Sequence, residues 1–282
     1  MIRFVFFIVV FIAHNDLNAQ FNQEKLIIEQ IELKSNSNQF QLAKSQLLNF
    51  IHVYPNSMFL QHANFLLADN YLMLNQIDSS VYYYHKVFKY KDNDTIEANL
   101  SHNACLVLSQ IEYNRNNFRE ALELLNACKK KYPYRHFCGN AYESINMTYS
   151  LYESQCYQGL HKPKKAMESL IPYAFKNDLS RNTEIVNELY KLIKTNYNVN
   201  EIKEELEKWT TSIDIEIYKN QGITFHTPYT KIFGKKAVLP ELIDTEFEIE
   251  LGTFQKDKTI VKHRDQLKNT DLYIQLLAFV QQ

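Results

Sequence analysis

The chain has little glycine, little proline and a single tryptophan: 5, 6 and 1 of its 282 residues. Loops that hold phosphate groups need glycine, and the sequence has no GxGxxG or GxxxxGK segment. It also lacks GxSxG and HExxH, which are typical of hydrolase nucleophiles and zinc proteases. We therefore expect no catalytic residues, no cofactor and no metal site, and we predict that the protein is not an enzyme.

An excess of charge of one sign is also missing. Lysine and arginine together number 31 and aspartate and glutamate 32, which gives a formal net charge of −1. Because nucleic-acid-binding surfaces are usually strongly basic, we expect no nucleic-acid partner.

The N-terminus has the order of a secretory signal peptide. Arg3 precedes an apolar run from Phe4 to Ala13, and a short polar stretch ends at Ala19. The run is shorter than the roughly 20 residues that span a membrane. We expect removal of residues 1–19, export to the periplasm or the extracellular space, and no stable membrane span afterwards. Retention as a membrane anchor is the alternative.

The four cysteines are Cys105, Cys128, Cys138 and Cys156, and none forms a CxxC pair. Their spacing argues against a zinc site or a thioredoxin-like redox site. In an oxidising compartment they could form two disulfides, with three possible connectivities. Buried free thiols that act as small core residues are the alternative.

A small residue followed four positions later by a large one recurs along the chain. The pairs are Ala43 and Leu47, Ser80 and Tyr84, Ala121 and Leu125, and Ala166 and Leu170. Successive small residues are 37, 41 and 45 positions apart, and Pro55 and Pro133 close two of the segments. Helical stretches precede them at 24–34, 62–74, 99–114 and 140–159. The repeating unit is therefore predicted to be a helix, a tight turn and a second helix.

This unit resembles the tetratricopeptide repeat (TPR) family, most closely where Leu67, Ala68 and Tyr71 match its first-helix pattern. The resemblance covers about residues 24–178. It implies a mainly α fold, a right-handed superhelix of stacked helical hairpins. The spacing exceeds the family's usual period of roughly 34 residues, so the helices or loops are expected to be longer. A related kind of helical-hairpin repeat is the alternative.

The resemblance also implies a concave surface lined by the first helix of each unit. Carried over by position, the predicted partner-binding residues are His62, Phe65, Asp69 and Met73, then Asn103, Gln110, Tyr113 and Asn114, and finally Gln155 and Gln158. Their mixture of amide, aromatic and apolar groups suits an extended or helical peptide. Packing of several of them against a neighbouring helix is the alternative.

Strand patterns follow the helical part. Residues 213–218 and 246–251 alternate apolar and charged side chains, which is typical of half-buried strands. Pro228 indicates the edge or the end of a sheet. We expect capping helices at 181–212 and a small α+β domain at 213–282, which a helix or strand at 272–279 closes.

One C-terminal segment resembles a second family. Residues 247–255, FEIELGTFQ, and the helical pattern at 258–269 are similar to part of the sporulation-related repeat domain. That resemblance implies binding to denuded peptidoglycan.

Together these patterns predict a signal peptide at 1–19, TPR-like repeats at 20–180, and the two C-terminal segments described above. We predict an exported bacterial scaffold that binds another cell-envelope protein or peptide on its concave face. A cell-wall-binding protein that uses residues 213–282 is the alternative. An enzyme would need a reactive cluster, for example around His226 or His263.

Overall fold

The computed structural model describes the backbone of residues 2–90, 99–136, 138–176, 182–220, 223–240 and 254–282. Within those ranges, side chains are described from residue 19 onward, except at 218–225. The chain divides into two compact units. Unit 1 comprises Met1–Glu112 and Glu123–Arg135, and unit 2 comprises Tyr113–Leu122 and His136–Gln282.

Eight helices form the four predicted hairpins. They are α1 (Ile2–Asn36), α2 (Phe40–Val53), α3 (Leu60–Met73), α4 (Ile77–Val87), α5 (Leu100–Asn114), α6 (Phe118–Lys130), α7 (Gly139–Gly159) and α8 (Pro163–Leu170). The prediction of a mainly α fold built from helical hairpins is confirmed. Helix α1 includes the predicted signal peptide, whose removal stays a prediction. No helix in the described ranges combines the length and the apolarity needed to cross a lipid bilayer.

Each hairpin turns at one residue in the left-handed conformation. Asn38, Asn75, Asn116 and His161 have φ values of 60°, 57°, 64° and 56°. At all four, the backbone N–H donates to the carbonyl three residues earlier, at 2.8–3.0 Å. Glycine is the usual residue at such a helix end, and asparagine is the commonest substitute. The chain can therefore reverse direction four times with little glycine.

The repeated small and large residues form the inside of the hairpins. Each small residue lies five positions after the turn residue, and each large residue lies one helical turn later. All eight side chains have 0% of their surface exposed. Because a small residue lets two helices approach closely, the large one can fill the space between hairpins. Burying each leucine side chain stabilises the fold by about 1.5–3 kcal/mol.

Unit 2 continues beyond the fourth hairpin. A 3-10 turn at Ile171–Tyr173 is followed by two helices, α9 (Asn182–Asn196) and α10 (Val199–Thr211). Three strands come next: β1 (Asp214–Asn220), β2 (Ile223–Ile232) and β3 (Lys235–Val238). The last two helices are α11 (Lys256–Lys268) and α12 (Asp271–Val280). One hydrophobic core contains Leu170, Leu189, Trp209, Ile232 and Leu276. The predicted capping helices, the sheet and the last helix therefore share one core.

The sheet is antiparallel with the order β1-β2-β3. Pro228 lies in the central strand opposite Ile215, so the prediction that it marks an edge or an end is wrong. Its carbonyl accepts a hydrogen bond from the Leu239 N–H at 2.9 Å. In an antiparallel sheet, the N and the C=O of one residue point toward the same neighbouring strand. The position of the N–H that Pro228 lacks therefore faces β3, beyond Val238, the last residue of β3 that pairs with β2. The ladder to β1 thus loses no hydrogen bond.

Residues 272–279 lie in α12 and are helical. The strand predicted at 246–251 and most of the peptidoglycan-domain resemblance at 247–255 fall outside the described residues.

Candidate partner-binding surface

Four of the predicted binding residues lie along one side of α3 in unit 1. His62, Phe65, Asp69 and Met73 are separated by three or four residues, which puts them on one helix face. The Met73 side chain is 60% exposed, and the other three residues are half-buried. We refer to these four residues as the α3 strip.

Asp69 has a partner on the second helix of its own hairpin. The Tyr84 hydroxyl donates a hydrogen bond to Asp69 Oδ1, and the Phe65 ring meets the Tyr84 ring edge-on at 5.8 Å between centroids. Tyr84 fills the position that leucine fills in the other hairpins. Because a buried hydroxyl needs a partner, Asp69 supports the hairpin from within. A polar residue at a position that is otherwise leucine was the sequence signal for this contact.

Partial burial changes the acidity of the strip. Burial raises the pKa of Asp69 to about 6, although the hydrogen bond from Tyr84 acts in the opposite direction. At neutral pH the carboxylate is therefore mostly charged but incompletely hydrated. Such a group gains from an additional hydrogen-bond donor or a cation.

A second carboxylate lies beside the strip. His62 Nε2 is 3.8 Å from Glu32 Oε2, on α1 of the same unit. Burial lowers the pKa of His62, and the charge of Glu32 opposes that shift. Sequence reasoning missed Glu32, because only the packing of α1 on α3 brings the two together. Asn70 and Ser35 join the same two helices through a 2.8 Å hydrogen bond.

The predicted residues of α5 are less open than those of α3. Asn103 and Gln110 are half-buried, and both already interact with other residues. A partner would therefore meet only part of each of these two side chains.

Four predicted residues lie in unit 2. Asn114 and Gln155 are exposed, whereas Tyr113 packs edge-on against Phe118 at 5.6 Å across the hairpin turn. Gln158 donates a hydrogen bond to Glu188 Oε1 on α9 at 2.8 Å. Tyr113 and Gln158 thus take part in packing within their own unit.

His226 and His263, the histidines around which a catalytic cluster would have to form, contact neighbouring side chains of unit 2. His263 is 1% exposed, and its Nδ1 lies 3.0 Å from Gln266 Oε1. The His226 ring lies 4.7 Å from the Phe254 ring. Burial lowers the pKa of both histidines. Among the described residues, no three His, Cys, Asp or Glu side chains gather as a metal site requires.

No protein family matches this sequence, and no curated protein matches it either. Two solved structures are similar to the fold, and both belong to tetratricopeptide-repeat proteins. The first, a double mutant of MamA from RS-1, is 14% identical over 61% of this chain and 95% of its own, with a TM-score of 0.41. The second, PilF of Pseudomonas aeruginosa, is 12% identical over 90% of this chain and 96% of its own, with a TM-score of 0.45.

Proposed function

We propose that this protein is an exported, noncatalytic scaffold that binds a peptide segment of another cell-envelope protein along the α3 strip. The observation that carries the proposal is the combination on one helix face of an exposed thioether, Met73, with an incompletely hydrated carboxylate, Asp69. Asn103 and Gln110, the predicted residues on α5 of the same unit, are proposed as further contacts.

The chemistry of the strip favours one kind of segment. Met73 and the half-buried Phe65 accept an apolar side chain, and methionine adapts readily to different shapes. Asp69 and Glu32 accept hydrogen bonds from lysine, arginine or amide donors. None of the ten predicted binding residues is lysine or arginine, so a carboxylate-rich segment would find no cation among them. We therefore expect a segment with an apolar anchor and at least one basic or amide donor.

Photocrosslinking in native cells tests the proposal. A photoreactive phenylalanine derivative replaces Met73 in the full chain, and the envelope fraction is analysed for adducts. One dominant protein adduct is expected, and His62→Gln with Glu32→Gln should reduce it severalfold. Asp69 stays unchanged in this test because it also holds Tyr84.

The matched control carries the same photoreactive group at Tyr82, which is 57% exposed on α4 of the same unit. This site should not give the same adduct. Equal adducts from Tyr82 and Met73 would contradict a specific strip. Absence of any protein adduct, together with sedimentation of the full chain with purified peptidoglycan, would favour the cell-wall alternative.

A further inference from the structure

Two of the four cysteines face each other inside the third hairpin. Cys105 on α5 and Cys128 on α6 are 1% and 0% exposed, and both belong to unit 1. The Cys105 thiol donates to the carbonyl of Leu124 at 3.3 Å. In a helix that carbonyl is also the acceptor for the N–H four residues later, at Cys128. The sulfur of Cys105 therefore lies over the helical turn that ends at Cys128.

The direction of helical side chains completes the pairing. A side chain on a helix points back toward the N-terminus and covers the turn before its own Cα. The Cys128 side chain thus points toward the turn of Leu124, where the Cys105 sulfur lies. The two thiols are hydrogen-bonded to each other, and this contact lowers the pKa of Cys105 and raises the pKa of Cys128.

We propose that Cys105 and Cys128 form an intramolecular disulfide that links α5 to α6. The oxidant is a small-molecule or protein disulfide, the class of reagent that an oxidising compartment supplies. The Cys105 thiolate attacks this disulfide and releases one reduced thiol. The Cys128 thiolate then attacks the Cys105 sulfur and releases the second. Both protein thiols are oxidised, one external disulfide is reduced, and the two protons end on the released thiols.

The other two cysteines differ in their surroundings. Cys156 is buried on α7 of unit 2, and burial raises its pKa to about 11. Cys138 is exposed immediately before α7. The proposed disulfide is therefore the one between Cys105 and Cys128, and Cys138 and Cys156 remain thiols.

Refolding of the reduced full chain in a buffer of reduced and oxidised glutathione tests the proposal, because both thiols are buried once the chain has folded. After denaturation in the presence of an alkylating agent, Cys105 and Cys128 should stay unmodified, whereas Cys156 should be alkylated. Peptide mapping should recover the linked Cys105 and Cys128 peptides. Because the disulfide closes the loop between Cys105 and Cys128, it should raise the Tm by roughly 5–10 °C relative to the reduced protein.

Two variants make the result specific. Cys105→Ala should abolish the linked peptide and the effect of oxidation on Tm, whereas Cys138→Ser should preserve both. Alkylation of Cys105 and Cys128 after refolding, or a map that links any other pair, would overturn the assignment. The measurement needs no partner and no export, so its outcome is independent of the crosslinking experiment.

Discussion

The hydroxyl of Tyr84 donates a hydrogen bond to the carboxylate of Asp69, from the second helix of a hairpin to the first. Tyr84 is fully buried, and Asp69 is at the margin of the same core. Asp69 therefore contributes both to the packing of unit 1 and to the surface proposed to bind a partner. Variants at these positions must be judged by stability as well as by binding.

Asp69→Asn should change how stability depends on pH. Burial raises the pKa of Asp69 to about 6 in the folded protein, from the ordinary aspartate value of 3.8. The folded state then holds the proton more tightly, so stability is lost as pH rises from about 4 to about 6 and is constant above that window. The loss is at most about 3 kcal/mol, and solvent near the half-buried group reduces it.

Urea denaturation of Asp69→Asn and the wild type between pH 4 and 7 measures this effect. The free energy of unfolding of the variant, relative to the wild type, should rise across the window. Asp78→Asn, at an exposed position on α4, is the matched control for the loss of one carboxylate. A pH-independent difference for Asp69→Asn would show that burial does not shift this group.

Tyr84→Phe should destabilise the protein at neutral pH. The change keeps the ring but removes the donor to Asp69, which leaves a partly buried carboxylate without its partner. A loss of about 1–3 kcal/mol is expected from chemical denaturation. Tyr82→Phe, on the exposed side of the same helix, should be nearly neutral, and an equal loss there would refute the role of the hydrogen bond.

Gly159→Ala should destabilise unit 2. A Cβ added at Gly159 would lie 2.5 Å from the Phe118 ring, too close without displacement of the ring. Overpacking of this kind typically costs about 1–3 kcal/mol. Gly139→Ala is the control, because its Cβ meets nothing within 4 Å. Thermal melts in which both alanine variants match the wild type would contradict the close contact.

Asn75→Ala should weaken the second hairpin. Asn75 has a φ of 57°, and alanine in this left-handed conformation costs about 1–2 kcal/mol. Asn49→Ala removes the same side chain at an exposed position within α2, where alanine is the better helix former. Denaturation midpoints should therefore fall for Asn75→Ala and stay level or rise for Asn49→Ala.

Local patterns were sufficient to predict the hairpins. The spacing of Ala43 and Leu47 recurs because each hairpin needs a small residue where its helices approach closely and a large one a helical turn later. A short sequence pattern is therefore enough to locate each hairpin. The contact of Tyr84 with Asp69 is less local: it depends on two helices that pack after the turn at Asn75 has formed. A polar residue at a leucine position indicated that a partner was needed, but not which one.

The C-terminal half was harder to predict because its contacts join distant segments. The Thr230 hydroxyl donates to the backbone carbonyl of Trp209 at 2.6 Å, which ties the central strand to the preceding helix. The Phe118 ring lies against Gly159, although α6 and α7 separate the two residues along the chain. Periodicity in a short window cannot detect such pairs. Pro228 was misjudged for a related reason, since its tolerance depends on where β3 ends.

The asparagines at the hairpin turns affect how many backbone conformations the unfolded chain can adopt. Glycine would adopt their left-handed conformation without strain, but it would also give the denatured ensemble more conformations. Asparagine accepts some local strain in the folded turn and restricts the backbone when the chain is unfolded. Three of the four reversals use it, and His161 serves at the fourth. The shortage of glycine in this chain therefore lowers the conformational entropy that each helix reversal loses on folding.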